Sequence, residues 1–349
     1  VAWVDHRDKD VHFQRFDAAG PRGARINVSR TPDVFSWLPR IVLAGDDVFV
    51  VWQEIVFSGG AHGGDIFFAR SRDRGVTFAA PVNLSRSIGG DGKARYDEKR
   101  WHNGSLDLAR SPSGALHVAW TDYDGALWYA TAADAETFGA PVQVAGTRAT
   151  PARAPALAAV EDTVYLAWTV GETDTADVSV MALRRGAWSA PVVVATTATY
   201  SDAPKLDVDD TGTVHVVFAE TSGGPFEPAR VVYTRSTDGA RTFAPLRTIS
   251  TDDAGFPSLA IDGARVVVLW EPTRDPRGVS GAQSHDRGAQ FRAFDVPHGR
   301  DADGGINGSH QVRLMRRLAV RDGSIAIAMS ALAHGTGSRV WLIRGRLSR

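Results

Sequence analysis

The chain has no cysteine at all, which excludes disulfide frameworks, thiolate nucleophiles and cysteine-based metal sites. It also lacks an excess of charge of either sign, because 39 basic residues stand against 40 acidic ones. This balance predicts no nucleic-acid partner and no anionic membrane surface. No apolar run approaches the length of a membrane span. No secretory signal is visible either, but the sequence starts at Val1 inside what reads as a strand, VAWVD, and we expect a further segment ahead of it.

Sequence patterns for common cofactors are missing as well. Neither a glycine-rich phosphate loop nor a dinucleotide fingerprint occurs, so we expect no organic cofactor. No His-x-x-x-His spacing supports a catalytic metal. Metal catalysis is therefore weakly supported, because the scattered histidines could converge only in three dimensions.

Internal repetition is the strongest feature that the sequence does have. An alternating apolar segment ending in Trp or an equivalent residue recurs seven times: VAWVD (1–5), VFVVWQE (48–54), LHVAWTD (116–122), VYLAWTV (164–170), VHVVFAE (214–220), VVVLWEP (266–272) and IAIAMSA (325–331). Six copies follow another short strand, every copy precedes a third strand, and six of the third strands lead to a fourth. Four antiparallel strands repeated roughly every 50 residues are typical of a β-propeller.

The strand count predicts an all-β fold with seven four-stranded antiparallel blades. Seven second and third strands against six first and fourth strands indicate that the first blade lacks its innermost strand and the last blade its outermost one. Six blades plus an N-terminal hairpin are the alternative. We expect a single propeller domain over residues 1–349.

A short polar turn recurs between third and fourth strands. It reads SRDRGVTF at 71–78, STDGARTF at 236–243 and SHDRGAQF at 284–291, and it is weaker as TAADAETF at 131–138. Asp73 can accept hydrogen bonds from turn amides, Gly75 can adopt a positive φ, and Phe78 can pack into the core. The turn resembles the Asp-box, or bacterial neuraminidase repeat, of the sialidase-like propeller superfamily. We interpret it as a structural element rather than a ligand site.

Strand direction predicts which face carries function. Loops alternate between the two faces of a propeller, so the long loops 54–65, 85–105 and 296–316 all lie opposite the Asp-box turns. Long loops are more often functional than decorative. Carboxylates follow the Trp segments on that same face: Glu54, Asp122, Glu172, Glu220 and Glu271. They suit acid–base work, cation binding or sugar recognition, although acidic residues also commonly end strands for solvation alone.

Two related motifs end the long loops. RWHNGS (100–105) and INGSHQ (306–311) share Asn-Gly-Ser ahead of an inner strand. They supply candidate substrate contacts at Arg100, Trp101, His102, Asn103, Asn307 and His310. Asn-Gly also reads as a simple tight turn. Trp37, like Trp101, could stack on a sugar ring or pack in the interior. His117 and His215 lie inside strands, and we interpret both as core residues.

The resemblance to sialidases implies three substrate-binding arginines, a Tyr–Glu nucleophile pair and an Asp acid/base. The first arginine of sialidases lies in an Arg-Ile-Pro motif, where WLPRIVL of this chain has Trp37, with Arg40 further along the strand. Arg153 in ARAPAL does stand two residues before a proline, and SDAPKL has Asp202 there. Tyr200 lies in TYSDAP, which is similar to the sialidase tyrosine segment but falls in another blade. No complete triad is visible, so the chain is not a close match to catalytic sialidases.

These observations favour a carbohydrate-acting propeller of glycoside hydrolase or lyase type on the long-loop face. The candidate catalytic residues are Asp122, Tyr123 and Glu220. The candidate substrate-binding residues are Glu54, Arg100, Trp101, His102, Asn103, Arg153, Glu172, Tyr200, Asp202, Glu271, Asn307 and His310. A non-catalytic glycan- or protein-binding propeller is the alternative, and a propeller with a structural cation in its axial channel is a third. We expect a bacterial, secreted or periplasmic monomer with a carbohydrate or glycoconjugate partner.

Overall fold

A computed structural model describes residues 1–5, 7–32, 34–58, 61–63, 65–86, 95–97, 100–102, 105–122, 124–171, 175–222, 229–250, 253–272, 278–297, 299, 316–333 and 337–347. At 56–58, 61–63, 95–97, 100–102, 256, 331–333 and 337–338 the description covers the backbone only. The described residues form strands and turns, with no helix and hence none long enough to cross a membrane.

The first three sheets follow the predicted repeats. Blade 1 has β1 (Ala2–Val4), β2 (Val11–Asp17) and β3 (Gly20–Asn27). Blade 2 has β4 (Phe35–Ala44), β5 (Asp47–Ser58), β7 (Ile66–Ser71) and β8 (Val82–Asn83), with β6 (Ala61–Gly63) paired to β5. A separate hairpin joins β9 (Arg95–Asp97) to β10 (Arg100–His102). Blade 3 has β11 (Leu106–Arg110), β12 (Leu116–Thr121), β13 (Leu127–Ala132) and β14 (Val142–Ala145).

The remaining four sheets repeat the same antiparallel order. Blade 4 has β15 (Ala152–Val160), β16 (Thr163–Val170), β17 (Asp177–Arg184), β18 (Ala187–Trp188) and β19 (Val192–Val193). Blade 5 has β20 (Tyr200–Val208), β21 (Val214–Thr221), β22 (Ala229–Ser236) and β23 (Arg247–Thr248). Blade 6 has β24 (Ala254–Asp262), β25 (Arg265–Pro272), β26 (Ser280–Ser284) and β27 (Arg292–Asp295). Blade 7 has β28 (Leu318–Arg321), β29 (Ser324–Ala333) and β30 (Gly337–Arg346).

The seven sheets form a ring, which confirms the seven-bladed propeller. Each innermost strand packs against that of the next blade, from β4 through β11, β15, β20 and β24 to β28. Arg344 of blade 7 closes the ring by donating to the carbonyl oxygens of Asp17 and Ala18 of blade 1, at 2.5 and 2.7 Å. Within the described residues, blade 1 has no innermost strand and blade 7 no outermost strand, as the repeat count predicts.

The core lies between the blades rather than within any one of them. The Trp positions of the repeat fill these interfaces, because Trp52 and Trp120 are fully buried and Trp168 is 3% exposed. Trp52 packs on Val11 and Phe13 of blade 1. Buried apolar clusters of this kind join blade 1 to 2, 2 to 3, 3 to 4, 4 to 5, 5 to 6 and 6 to 7. Among the buried clusters of the described residues, none joins blade 7 to blade 1.

The recurrent polar turns are self-contained structural elements. The Asp73 carboxylate accepts from the amides of Val76 and Thr77 at 2.9 Å and from the Thr77 hydroxyl at 2.6 Å. The Ser71 hydroxyl accepts from the Gly75 amide at 2.7 Å. Phe78 packs edge-to-face on Phe13, 5.3 Å between ring centres. The turn at 236–243 repeats the pattern. We call the face with these turns the box face and the opposite face, where innermost strands begin, the rim face.

Candidate functional site

The innermost strands share a bulge that shapes the rim face. In β4, β15, β20 and β24 the pairing register shifts at a proline near the start of the strand. The residue before that proline is left-handed in three of them, with φ of 48° at Leu38, 50° at Ala154 and 54° at Ala203. These three residues, from blades 2, 4 and 5, pack together with Trp37 around the axis. We call them the axial apolar cluster.

Four polar side chains from blades 4 and 5 meet directly beside this cluster. The Arg153 guanidinium donates to the Tyr200 hydroxyl and lies 5.1 Å from the centre of the Tyr200 ring. Arg153 Nη2 is 3.8 Å from Asp202 Oδ1, which also accepts from the Thr169 hydroxyl at 3.3 Å. Arg153 and Tyr200 are 5% and 3% exposed. We call Arg153, Thr169, Tyr200 and Asp202 the rim cluster; three of them are predicted site residues, and the structure brings these together.

Two further predicted carboxylates are held by arginines on the same face. Glu220 accepts from Arg230 Nε and Nη2 at 3.0 and 2.7 Å, and Glu271 accepts from Arg317 Nη1. Both glutamates are buried. Their arginine partners were not predicted, because Arg230 lies on β22 and Arg317 just ahead of β28, and nothing in the local sequence marks either pairing.

Two buried polar side chains keep hydrogen-bonding capacity on this face. Gln53, 1% exposed and opposite Trp37 in the β4–β5 ladder, has no partner for either amide atom among the described residues. Arg317 likewise has no partner there for Nε and Nη2. Buried polar groups are almost always satisfied, so such atoms are expected to meet water or ligand. The sequence places Gln53, like Glu54, at the end of a Trp segment on this face, whereas nothing in the sequence singles out Arg317.

The innermost strands surround a central space that we call the channel. On the box-face side of the axial apolar cluster, charged side chains fill this channel. Asp107 accepts from Arg40 Nε at 3.2 Å, from Arg316 Nη2 at 2.6 Å and from the Leu157 amide at 2.8 Å. Burial, together with the nearby Arg40 cation, lowers the pKa of Lys205 to about 7. Burial also raises the pKa of Asp207. Arg40 therefore belongs to the channel rather than to the rim, and Asp107, Lys205, Asp207 and Arg316 are channel residues that sequence analysis did not single out.

Glu54 lies in the interface between blades 1 and 2. Burial raises the pKa of its carboxyl group, while Trp52 Nε1 donates to Oε1 at 3.1 Å. Two acidic neighbours, Asp10 and Asp65, raise the pKa further. A carboxyl group with a raised pKa suits a general acid. No described contact joins Glu54 to the rim cluster.

A repeated Asn-x-Ser-Arg motif fixes both acidic neighbours of Glu54. Asp10 accepts from Asn27 and Ser29 at 2.5 and 2.7 Å. Asp65 accepts from Asn83 and Ser85 at 2.7 and 2.8 Å. The signal was visible in the sequence as NVSR at 27–30 and NLSR at 83–86. The Asn-x-Ser-Arg motif lies at the rim-face ends of the fourth strands of blades 1 and 2.

Asp122 closes a turn between β12 and β13. Its Oδ1 accepts from the amides of Asp124 and Ala126, and its Oδ2 accepts from Trp128 Nε1, all at 2.9 Å. Through these contacts the Asp122 carboxylate stabilises the turn. The predicted catalytic role of Asp122 stays a prediction.

Several predicted site residues lie outside the part of the chain that the structure describes: Tyr123, Asn103, Glu172, Asn307 and His310. Arg100, Trp101 and His102 are described in backbone only, on β10, where Trp101 pairs with Tyr96. Convergence of the two Asn-Gly-Ser motifs thus stays a prediction. The third alternative, a structural cation in the axial channel, also stays a prediction; the described residues contain no group of three His, Asp or Glu side chains that could hold a metal.

The fold is similar to that of solved structures at very low sequence identity. A protein of unknown function from Dyadobacter fermentans matches with a TM-score of 0.59 at 12% identity, covering 90% of this chain and 96% of that one. An ulvan lyase of polysaccharide lyase family PL25, bound to -[GlcA(1-4)Rha3S]-, matches with a TM-score of 0.60 at 12% identity, covering 94% and 86%. The polysaccharide lyase Uly1 matches with a TM-score of 0.56 at 11% identity, covering 98% and 87%.

No family model and no curated protein matches the chain. The expected resemblance to sialidase-like propellers, without a close match to a catalytic sialidase, is confirmed at the level of fold. A shared propeller does not determine function, which has to be argued from the site.

Proposed function

We propose that the protein acts on carbohydrate and cleaves an acidic polysaccharide at the rim cluster by β-elimination next to a uronate. The observation that carries this proposal is the buried contact of Arg153 with Tyr200 and Asp202 at the mouth of the axial channel. Two solved structures of similar fold are polysaccharide lyases, which supports the same class of reaction.

The chemistry needs a cation for the uronate carboxylate and a base for the proton on the adjacent carbon. Arg153 pairs with the substrate carboxylate and stabilises the negative charge that develops when the C5 proton leaves. In this mechanism Tyr200, whose oxygen accepts from Arg153, reacts as the phenolate and takes that proton. The C4–O4 bond breaks, a C4=C5 double bond forms, and the Tyr200 phenol returns the proton to the departing O4. Asp202 and Thr169 hold the Arg153 side chain in position.

The contacts of the other carboxylates favour elimination over hydrolysis. A glycosidase needs two carboxyl groups that flank one bond. Among the described residues, Glu220 and Glu271 are each held by an arginine, and Asp122 is held by a turn. Gln53 and Arg317 have buried donors left over for sugar hydroxyl or acidic groups.

The proposed reaction takes place outside the cytoplasm. Polysaccharides of this kind lie outside the cytoplasm, so we place the protein in the secreted or periplasmic compartment. The whole chain, residues 1–349, works as one propeller domain and as a monomer.

Ultraviolet absorbance of the unsaturated uronate product tests the proposal on a panel of sulfated and unsulfated uronate polysaccharides. Tyr200→Phe should lower kcat by on the order of 10²–10⁴-fold, because it removes the proton-transfer group and little volume. Tyr165→Phe is the matched control, since Arg184 donates to the Tyr165 hydroxyl at 3.2 Å in a similar pair on the box face. It should leave kcat unchanged.

Three results would contradict the proposal. New reducing ends without the absorbance would indicate hydrolysis. Glycan binding without any cleavage would favour the alternative of a non-catalytic binding propeller. Equal kcat for Tyr200→Phe and Tyr165→Phe would remove the rim cluster from the reaction.

A further inference from the structure

Blade 2 places two uncharged side chains at the position that holds the rim cluster in blades 4 and 5. In β4, β15 and β20, one ladder pair between the innermost and second strands lies directly before the bulge. These pairs are Trp37 with Gln53 in blade 2, Arg153 with Thr169 in blade 4 and Asp202 with Ala219 in blade 5. The residues that follow Trp37, Arg153 and Asp202 pack together in the axial apolar cluster. Trp37 and Gln53 therefore lie beside the rim cluster at the mouth of the axial channel.

Gln53 is buried among side chains that cannot satisfy its amide group. Trp37 lies opposite Gln53 on β4, and Ile66 lies opposite it on β7. Along β5, the nearest side chains on the same face are Val51 and Ile55, because successive side chains of a strand alternate. None of these four side chains has an acceptor, and only the Trp37 indole has a donor. Gln53 is 1% exposed and has no partner for either amide atom among the described residues, so this amide is expected to meet a ligand or water.

The chemistry of this position suits a sugar without charge. Trp37 is half-buried, and Phe35 lies on the same face of β4 with 4.5 Å between the two ring centres. An indole that keeps part of its ring exposed offers an apolar face to the C–H face of a sugar ring. The Gln53 amide has a donor beside an acceptor, which matches two neighbouring hydroxyl groups, since each hydroxyl can donate and accept. Neither side chain is charged, in contrast to Arg153 in the rim cluster.

We propose that Trp37 and Gln53 form a subsite for a neutral sugar, next to the uronate that the rim cluster binds. The Trp37 indole stacks on the C–H face of this sugar, and the Gln53 amide binds two neighbouring hydroxyl groups at its edge. The substrate is therefore a polysaccharide in which uronate is joined to neutral sugar, rather than a chain of uronate alone. A second carboxylate at the subsite would lie unpaired against apolar side chains. The proposal rests on the proposed function for the position of the uronate, whereas the subsite itself requires no cleavage.

Affinity electrophoresis in native gels measures binding to a polysaccharide separately from its cleavage. All proteins carry Tyr200→Phe, so that the polymer stays intact during the run. The probes are deacylated gellan, in which glucuronate is joined to neutral glucose, polygalacturonate, which contains uronate only, and carboxyl-reduced gellan, which contains neutral sugar only. The dissociation constant for deacylated gellan should be at least about 10-fold lower than for either other polymer, because only deacylated gellan fills both sites at once.

A matched pair of variants tests the role of the indole. Trp37→Ala should raise the dissociation constant for deacylated gellan by on the order of 10-fold, because the sugar loses its apolar platform. Trp188→Ala is the control for loss of a half-buried indole, since Trp188 packs edge-to-face on Tyr129 on the box face, 5.1 Å between ring centres. The control should leave binding unchanged, although it also removes buried apolar surface.

Gln53→Met separates a ligand-binding role from a structural one. It should raise the dissociation constant for deacylated gellan by on the order of 10-fold, because both hydrogen bonds to the sugar are lost. It should not lower the melting temperature, because no hydrogen bond among the described residues is lost and the side-chain volume is nearly kept.

The outcomes distinguish this subsite from the proposed cleavage reaction. Equal retardation by deacylated and carboxyl-reduced gellan, weakened in Trp37→Ala, would support the subsite and remove the uronate from the rim cluster. Cleavage by the protein with Tyr200 intact, together with undiminished gellan binding in Trp37→Ala and Gln53→Met, would overturn the subsite alone. The subsite is also overturned if deacylated gellan does not retard the protein, or if Gln53→Met lowers the melting temperature without weakening binding.

Discussion

Carboxylates on the box face are held ionised by their own turns. Hydrogen bonds from the Thr77 hydroxyl and amide hold the pKa of Asp73 well below its usual range, and Thr242 does the same for Asp238. A carboxyl group with a lowered pKa in the folded state binds its proton less readily there than in the unfolded chain. It therefore stabilises the fold at a pH above its ordinary pKa, and this stabilisation is lost as the pH falls through the folded value.

We predict that the double variant Asp73→Asn, Asp238→Asn lowers the melting temperature by a few degrees at neutral pH, because the amide holds the turn less well than the carboxylate. The difference from the wild type should shrink as the pH falls below about 4, where the wild-type carboxylates lose the same advantage. Thermal denaturation across that range measures it. Asp162→Asn, at an exposed position outside these turns, is the control. A difference that grows toward acid pH would contradict the explanation.

How far single residues could be predicted depended on whether their partners are local. The contacts of Asp73 follow from its own turn, and the hydrogen bonds that the sequence predicts from the turn amides are present. Glu220 was predicted at the rim, but its partner Arg230 is ten residues away on the next strand and could not be paired from sequence. Arg40, which the sequence places further along its strand than the first arginine of sialidases, lies in the channel, where its partner Asp107 belongs to another blade.

At the scale of the strands, alternation and the repeated Trp segments predicted the order and pairing of the described blades, including the two incomplete ones. The bulge in the innermost strands was not predictable. A residue before proline is ordinarily extended, yet Leu38, Ala154 and Ala203 are left-handed. Contacts among three blades around the axis offset this conformational cost, and those contacts exist only in the closed ring.

We predict that Ala203→Val destabilises the protein by about 2–5 kcal/mol, because a β-branched residue is disfavoured in the left-handed region and overfills the axial apolar cluster. Ala203→Gly should stay within about 1 kcal/mol of the wild type, since relief of backbone strain offsets the lost methyl group. Urea denaturation measures both.

Ala182→Val separates the backbone effect from the effect of volume. Ala182 is 1% exposed within β17 and is not left-handed, so its change adds volume alone, at about 1–3 kcal/mol. A loss for Ala203→Val no larger than that for Ala182→Val would show that the left-handed conformation carries no special cost.

At the scale of the whole molecule, stability is distributed unevenly around the ring. Six blade interfaces hold a buried apolar cluster among the described residues, and the interface between blades 7 and 1 does not. That interface instead borders a cavity of about 660 Å³, lined by Val1, Ala2, β4 and blade 7, and is joined by Arg344. Regions with little buried apolar surface open at lower free energy than the rest of a fold. The ring should therefore open between blades 7 and 1 before it unfolds.

We predict that amides of β1 and β28 exchange through local opening, with weak dependence on denaturant, while those of β12, β16 and β21 exchange only through global unfolding. Arg344→Ala should lower the opening free energy by about 1–2 kcal/mol, because two hydrogen bonds to blade 1 are lost. Arg346→Ala, exposed on the same strand, is the matched control and should have no such effect. Hydrogen exchange at a series of urea concentrations measures each strand separately. If all strands showed one opening free energy with one dependence on urea, the ring would unfold as a single unit, and the interface between blades 7 and 1 would be no weaker than the other six.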